Sequence, residues 1–317
     1  MLKHCVAIDI GGTSAKLGLV SQEGKILSRT SVSMPKGDSL DLIIELLTQS
    51  TNQLLKEAAE VDAPVEGIGI GHPGFYDNDG RLKDLCNIPA LNGFPLAGYF
   101  QQRFQLPAKA DTDVSCGTLG EFHFGNHRDI SRFLFLTLGT GIGAGCVVNG
   151  QLMRTTRNCL GDPGHIIVDP AGRLCTCGGR GCLEAVASGW AISEQAKEMI
   201  ASGRQTQLAP ILKQKDDFTP EDVFSAAGHG DAVAQSLVDQ TAHWLAMGLA
   251  TYCVLFEPKR IALGGGIAAG AGEQLMQPVR ERFFRVVSPA FARNVEIRSA
   301  QVGADAGLLG AATLIIG

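Results

Sequence analysis

The sequence has no apolar run long enough to cross a membrane. Its longest, Trp244 to Phe256, falls short of the ~20 residues a spanning helix needs. Nor does it carry an excess of positive charge: the net charge is −5 and the pI about 5.8, which leaves no global field to attract nucleic acid or anionic lipid. The start of the chain, Met1-Leu2-Lys3-His4, leads straight into apolar Cys5 to Ile8, too short a run and too soon followed by glycines to act as a signal peptide. A cytoplasmic protein with neither nucleic acid nor membrane as partner is expected. Disorder is excluded as well, since 45% of the 317 residues are hydrophobic and only 19% charged. At ~150 residues per domain, the length suits two domains or one large one.

The nine cysteines are odd in number, so they cannot all pair within the chain. Cys5, Cys86, Cys116, Cys146, Cys159 and Cys253 are scattered among apolar or small neighbours, whereas Cys175, Cys177 and Cys182 crowd together. Reduced thiols plus one metal cluster account for this better than a disulfide framework. With His165, the three thiolates supply the four ligands of a closed tetrahedral zinc site. Such a zinc has no open position, so it shapes a loop and performs no catalysis. Three unrelated thiols beside a buried histidine are the plainer alternative. Three cysteines within eight residues, set among Gly172, Gly178, Gly179 and Gly181, speak against it.

What the chain does have in quantity is glycine, 40 residues and nearly twice the usual ~7%, gathered at a few turns. Val6 to Asp9, Ala15 to Val20 and Lys25 to Val32 predict three antiparallel strands joined by tight turns. Asp38 is placed to cap a helix whose apolar positions Leu40, Ile43, Ile44, Leu47, Leu54, Leu55 and Ala58 follow the helical repeat. Ile68-Gly69-Ile70 predicts a buried strand, and Gln105 to Ala110 another. The opening design then returns roughly 130 residues later: Phe133 to Leu138, a glycine turn, Ile142 to Val148, and the hairpin turn Asn149-Gly150. A repeat on this scale implies two similar folding units. Asp231 to Phe256 predicts a long helix ended by Pro258, Arg260 to Leu263 a strand, and Val302 to Ile316 a final apolar helix able to pack on either domain. The class is α/β.

Two glycine turns stand at strand ends, Asp9-Ile10-Gly11-Gly12-Thr13 and Leu138-Gly139-Thr140-Gly141-Ile142-Gly143. Neither is a P-loop, and the second precedes a strand rather than the helix a dinucleotide fingerprint requires. Either one alone reads as an ordinary hairpin. Two matched turns, the first led by an acid, point to backbone N–H groups that receive phosphate. Between the repeats lies Ala110-Asp111-Thr112-Asp113-Val114, where an extended chain would put both acids on one face. An acid there, facing a cleft, suits a base for a hydroxyl proton, although an isolated aspartate is more often a surface turn residue.

Together, Asp9 to Thr13, Asp113 with Leu119-Gly120-Glu121, Gly161 through His165, and Cys175 through Glu184 resemble the ROK family of sugar kinases and repressors. The order holds over nearly the whole chain, down to Leu263 through Gly266 and Asp305-Ala306-Gly307. The resemblance implies an actin-like (ribonuclease H-like) duplicated two-domain sugar kinase fold with an interdomain cleft. Residues 1–112 with 303–317 would form the smaller domain and 113–302 the larger. It implies hexose and ATP as partners, Mg²⁺ and structural Zn²⁺ as metals, and a homodimer. Asp9 would sit near the magnesium. Gly11, Gly12, Thr13 and Lys16 would serve the first phosphate turn, Gly139, Thr140 and Gly141 the second, and Gly264, Gly265 and Gly266 would lie against adenosine. Asp113 would be the base and a sugar contact, with Asn87, Asp162, His165 and Glu184 holding sugar hydroxyls. His165 would serve zinc with one ring nitrogen and sugar with the other.

Three positions depart from the family pattern. Thr112 and Ser115 replace asparagines, and Gly161-Asp162-Pro163-Gly164-His165 has Asp where the family has Glu. These bear on the choice of sugar rather than on the reaction class. An ATP-dependent hexose kinase is the leading expectation. A sugar-sensing transcriptional regulator would need a helix-turn-helix ahead of the first phosphate strand, for which no room is seen, and a more basic charge. A catalytically silent sugar-binding protein would not need Asp113 and both phosphate turns.

Overall fold

The computed structural model describes residues 2–35, 39–85, 87–215 and 218–317. Asp38 and Cys86 lie outside the described residues. The chain divides into two compact units, Met1–Asp129 with Val147–Gly161 and Ala304–Gly317, and Ile130–Cys146 with Asp162–Gly303. No described helix is long and apolar enough to cross a membrane.

In the first unit, β1 (His4–Ile10), β2 (Ser14–Ser21) and β3 (Ile26–Ser33) form the expected antiparallel meander. To it are added, in parallel with β1, β4 (Val65–His72) and β7 (Ala108–Thr112), giving the order β3-β2-β1-β4-β7. A two-stranded ribbon, β5 (Phe75–Tyr76) with β6 (Leu82–Lys83), lies between β4 and β7 in sequence. Alternate residues Val6, Ile8 and Ile10 are fully buried and share a core with Ile43, Leu47 and Leu54 of α1 (Leu40–Glu60) and with Leu96 and Phe100 of α2 (Leu96–Phe104). The Ser39 side chain caps α1 by accepting from Leu42 N.

Helices α3 (Asp113–Phe124) and α12 (Ala306–Ile316) also pack in this unit, against each other and against β4. Small residues make this contact possible. A Cβ on Gly69 would lie 1.9 Å from Ala311 O, and one on Gly310 only 1.6 Å from Cys116 O. The division therefore differs from a boundary at 112/113. Helix α3 stays with the first unit because it is packed backbone to backbone on α12, and residues 147–161 join it too. The strand expected over 105–110 begins later, because Gln105 adopts a left-handed conformation (φ 53°) that closes α2.

The second sheet repeats the first. It contains β8 (Arg132–Leu138), β9 (Ile142–Val148), β10 (Gln151–Leu152), β11 (Arg260–Gly264) and β12 (Glu296–Ser299) in the order β10-β9-β8-β11-β12, with β11 parallel to β8 and β12. Asn149 and Gly150, with φ of 49° and 81°, make the turn from β9 to β10. Between the strands come α4 (Leu183–Ala187), α5 (Gly189–Ala201), α6 (Leu208–Lys215), α7 (Pro220–Gly228) and α8 (Ala232–Phe256), then α9 (Gly265–Ala271), α10 (Glu273–Val286) and α11 (Pro289–Ala292). Helix α8, capped by Asp231 onto Ala234 N, is the spine of this unit and packs on α4, α7 and α10.

Gly310→Ala forces α3 and α12 apart where their backbones touch. It should destabilise the protein by about 3 kcal/mol, the upper end of the usual cost of overpacking. Thermal denaturation checks this; an unchanged Tm would contradict the packing described.

Candidate active site and zinc loop

The first unit gathers acids at the C-terminal ends of β1 and β7. Asp9 ends its buried strand just ahead of a turn in which Gly11 N donates to Ser14 O at 2.9 Å. Its carboxylate sits against the start of α12, where a Cβ on Gly307 would lie 2.7 Å from Oδ2. Burial raises the Asp9 pKa, Lys16 pulls it down and Asp305 adds to the rise. Lys16 Nζ donates to Ala304 O at 2.9 Å and Arg29 pairs with Asp305 at 3.0 Å, so both cations hold the turn ahead of α12. Thr13 O accepts from Met34 N, and the Asn87 side chain lies against Gly12, 3.1 Å from where a Cβ would stand.

Asp113 is the first residue of α3. Thr112 caps that helix: its Oγ1 accepts from Ser115 N at 3.1 Å and donates to Ser115 Oγ at 2.8 Å. The two hydroxyls at the departing positions thus serve each other. Asp113 Oδ1 accepts from Val114 N at 2.8 Å. Burial lifts its pKa to about 6, with the nearby Asp9 adding to the rise and Val114 opposing it. The expectation that Asp111 and Asp113 share one extended face does not hold, because the strand ends at Thr112 and Asp113 begins the helix. Asp111 is buried and ion-paired with Arg154, Oδ2 to Nη2 at 2.5 Å. One acid is committed and the other is not.

In the second unit the turn Gly139-Thr140-Gly141 is held by its carbonyls. Gly139 O accepts from Gly189 N at 2.9 Å and Thr140 O from Trp190 N at 3.3 Å, both at the start of α5. Glu184 Oε2 accepts from Ile142 N at 2.9 Å, and a Cβ on Gly141 would meet that oxygen at 2.4 Å. Glu184 therefore braces the turn. Of the three glycines where β11 passes into α9, Gly264 is packed on the Phe135 ring and Gly265 (φ 85°) on Leu138 O, while the Cα of Gly266 faces open space.

His165, Cys175, Cys177 and Cys182 come together, their ligand atoms all within 4.8 Å of one another. Cys175 Sγ is 3.5 Å from His165 Nδ1, and Cys177 and Cys182 Sγ are 3.7 Å apart. A tetrahedron with Zn–S arms of ~2.3 Å has edges of about 3.8 Å, so the donor set fits zinc in size and chemistry. The other ring nitrogen, Nε2, faces Asp162 Oδ2 at 3.4 Å, as expected of a residue that would orient a ligating histidine. The turn before it is fixed on both sides. Tyr252 Oη donates to Pro163 O at 2.5 Å, and a Cβ on Gly164 would lie 2.1 Å from Ile142 O.

Arg154 was not among the residues singled out from the sequence, because it belongs to no motif. The one available signal was that Arg154 and Arg157 are the only charges from Ile142 to Gly161.

A duplicated sheet with a glycine turn at matching places in both copies is the actin-like two-domain fold of ATP-using enzymes and their relatives. The ROK family profile matches residues 5–317, and the chain belongs to that family. It is 34% identical to the glucokinase of Halalkalibacterium halodurans over 312 residues, 98% of this chain and 94% of that protein. The glucokinase of Thermotoga maritima is also 34% identical, over 98% of this chain and 96% of its own. The crystal structure of a ROK family glucokinase from Streptomyces griseus in complex with glucose and AMPPNP superposes with a TM-score of 0.82 at 31% identity, covering 98% of this chain and 99% of that one.

Protein purified without chelator should contain about one zinc per chain by elemental analysis, as a closed four-ligand site demands. Cys177→Ser should lower both Tm and sugar affinity. A metal-free protein of full stability would rule the site out.

Proposed function

We infer that the chain transfers the γ-phosphoryl group of ATP to a hydroxyl of a glucose-type hexose, giving the sugar 6-phosphate, with Asp113 as the general base. In class it is an ATP-dependent sugar kinase. The observation that carries the assignment of the base is the contrast between two neighbouring acids. Asp111 is neutralised by Arg154, while Asp113 stands at a helix start with its pKa raised to about 6 by burial. A base with that proton affinity is ionised at neutral pH and still able to take a proton.

Phosphoryl transfer is chiefly a matter of alignment and charge neutralisation. The sugar hydroxyl attacks the γ-phosphorus as its proton passes to Asp113, and ADP departs. The turn at Gly139-Thr140-Gly141, its carbonyls occupied and its Gly139 N–H donating to Gly141 O, has the N–H groups of Thr140 and Gly141 left for phosphate oxygens, and Gly12 and Thr13 offer the same on the first unit. The open side of Gly266 leaves room for a nucleotide to lie close to the backbone. Asp9, a carboxylate among acids, is a hard oxygen donor of the kind magnesium takes, and a bound Mg²⁺ would neutralise charge on the phosphates. Asn87, Asp162 and His165 are the proposed sugar contacts, with Glu184 acting at least through the phosphate turn.

Asp113→Asn keeps the shape of the side chain but cannot accept a proton. Its kcat should fall by roughly 10²-fold or more while calorimetry still detects sugar binding. Asp111→Asn should stay within a few-fold of wild type in kcat. Turnover of the wild type should decline as pH falls through about 6, because the raised pKa means the base is protonated below it. The same sign makes the buried Asp113 charge a cost to folding above that pH, so Asp113→Asn should raise Tm at neutral pH. An active Asp113→Asn beside an inactive Asp111→Asn would reverse the assignment.

Asp162→Glu should change the ranking of sugars rather than scale all rates alike, because a sugar oxygen left without its partner is rejected strongly. A hexose panel with ATP and Mg²⁺ reads this directly. An unchanged ranking would show that Asp162 serves only His165.

A further inference from the structure

Arg154 lies in the segment 147–161 that belongs to the first unit, and no role in binding or catalysis has yet fallen to it. Its guanidinium is gripped by a carboxylate that is itself out of water. Asp111 is 2% exposed and accepts Nη2 at 2.5 Å and Nη1 at 3.4 Å. Nη1 also reaches Tyr76 Oη at 3.4 Å and the Asn158 carbonyl. An arginine has five N–H donors in a rigid fork. Among the described residues these contacts leave Nε and one Nη2 hydrogen without a partner, and the side chain keeps 36% of its surface open to solvent. Such an arginine is held in place without being used up.

Its position is next to the proposed base. Asp111, which holds it, is two residues ahead of Asp113. The buried thiol of Cys116, one turn into α3, has the charges of Asp9, Asp111, Asp113 and Arg154 all within electrostatic reach. The hydroxyls flanking the base, Thr112 and Ser115, bond each other in the cap of α3, and neither carries a charge. A sugar hydroxyl that reaches Asp113 brings the rest of the ring beside groups packed around the same thiol. Of these, Arg154 is the one with donors to offer. Because Asp111 cancels its charge, it suits a neutral oxygen acceptor better than a phosphate.

We propose that Arg154 is a sugar-contact residue: its guanidinium, fixed by Asp111, donates its spare N–H groups to a ring or substituent oxygen of the hexose. This rests on the kinase reading above. The competing role is purely structural, with Arg154 present only to neutralise a buried carboxylate.

Arg154→Lys separates the two, since lysine keeps the positive charge beside Asp111 but has no fork. Wild type, Arg154→Lys and Arg154→Gln are compared by Tm, by KM for sugar and for ATP, and by sugar binding in calorimetry without ATP. A contact role predicts that Arg154→Lys keeps the wild-type Tm and ATP KM while its sugar KM and Kd rise about tenfold or more, the loss of a charge-assisted hydrogen bond. Arg154→Gln should show at least the same loss, whatever its Tm. Recovery of sugar affinity along with Tm in Arg154→Lys overturns the proposal, as does an equal rise in both KM values. If the wild type binds a hexose but phosphorylates none of the panel, the kinase reading fails while the calorimetry still decides the contact. If it binds no hexose, both fall.

Discussion

The arrangement of the first unit follows from placing carboxylates out of water. An unpartnered buried charge costs several kcal/mol, so each acid needs its own remedy. Asp111 has Arg154. Asp9 has Lys16 nearby and the start of α12 pressed against it, which only a glycine at 307 allows. Asp113 has only backbone donors, Val114 N at 2.8 Å and its own N–H, with no cationic partner among the described residues, and keeps a raised proton affinity. The acid without a cationic partner is the one proposed as the base.

The second unit uses the same sheet for a different end. Where the first copy of the design delivers acids, the second delivers a turn whose three carbonyls are engaged, the last by the N–H of Gly139. Gly189 and Trp190 hold the turn from one side, Glu184 from another. Glu184 follows Cys182 of the His/Cys cluster by two residues, and Gly164, beside His165, presses on Ile142. A metal that fixed His165 and the three cysteines would thereby stiffen this glycine turn as well. A closed, non-catalytic zinc site would thus have a structural reason to stand there.

Side chains at the departing positions are absorbed into local bonds that keep the scaffold in place. Thr112 and Ser115 form a self-contained cap, which keeps α3 well started and Asp113 in place. The Asp162-Pro163 turn is tied down by Tyr252 and aims its carboxylate at His165. The residues at these positions leave the strand and helix ends that carry them intact.

The sequence by itself determined much of this. The duplicated strand-turn-strand design, the glycine turns, the His165, Cys175, Cys177 and Cys182 cluster and the long helix after Asp231 are all local patterns, set by hydrophobic period, turn residues and residue spacing. Tertiary structure decided what spacing cannot express. Whether Asp111 and Asp113 share a face depended on the strand stopping at Thr112, a limit set by the Thr112 cap and not visible in alternation. Which unit α3 and α12 joined depended on Gly310 meeting the Cys116 carbonyl, a contact between residues far apart in the chain. Arg154 had no motif to mark it. Its place is fixed by a buried carboxylate 43 residues away, and an ion pair of that kind exists only once the chain has folded.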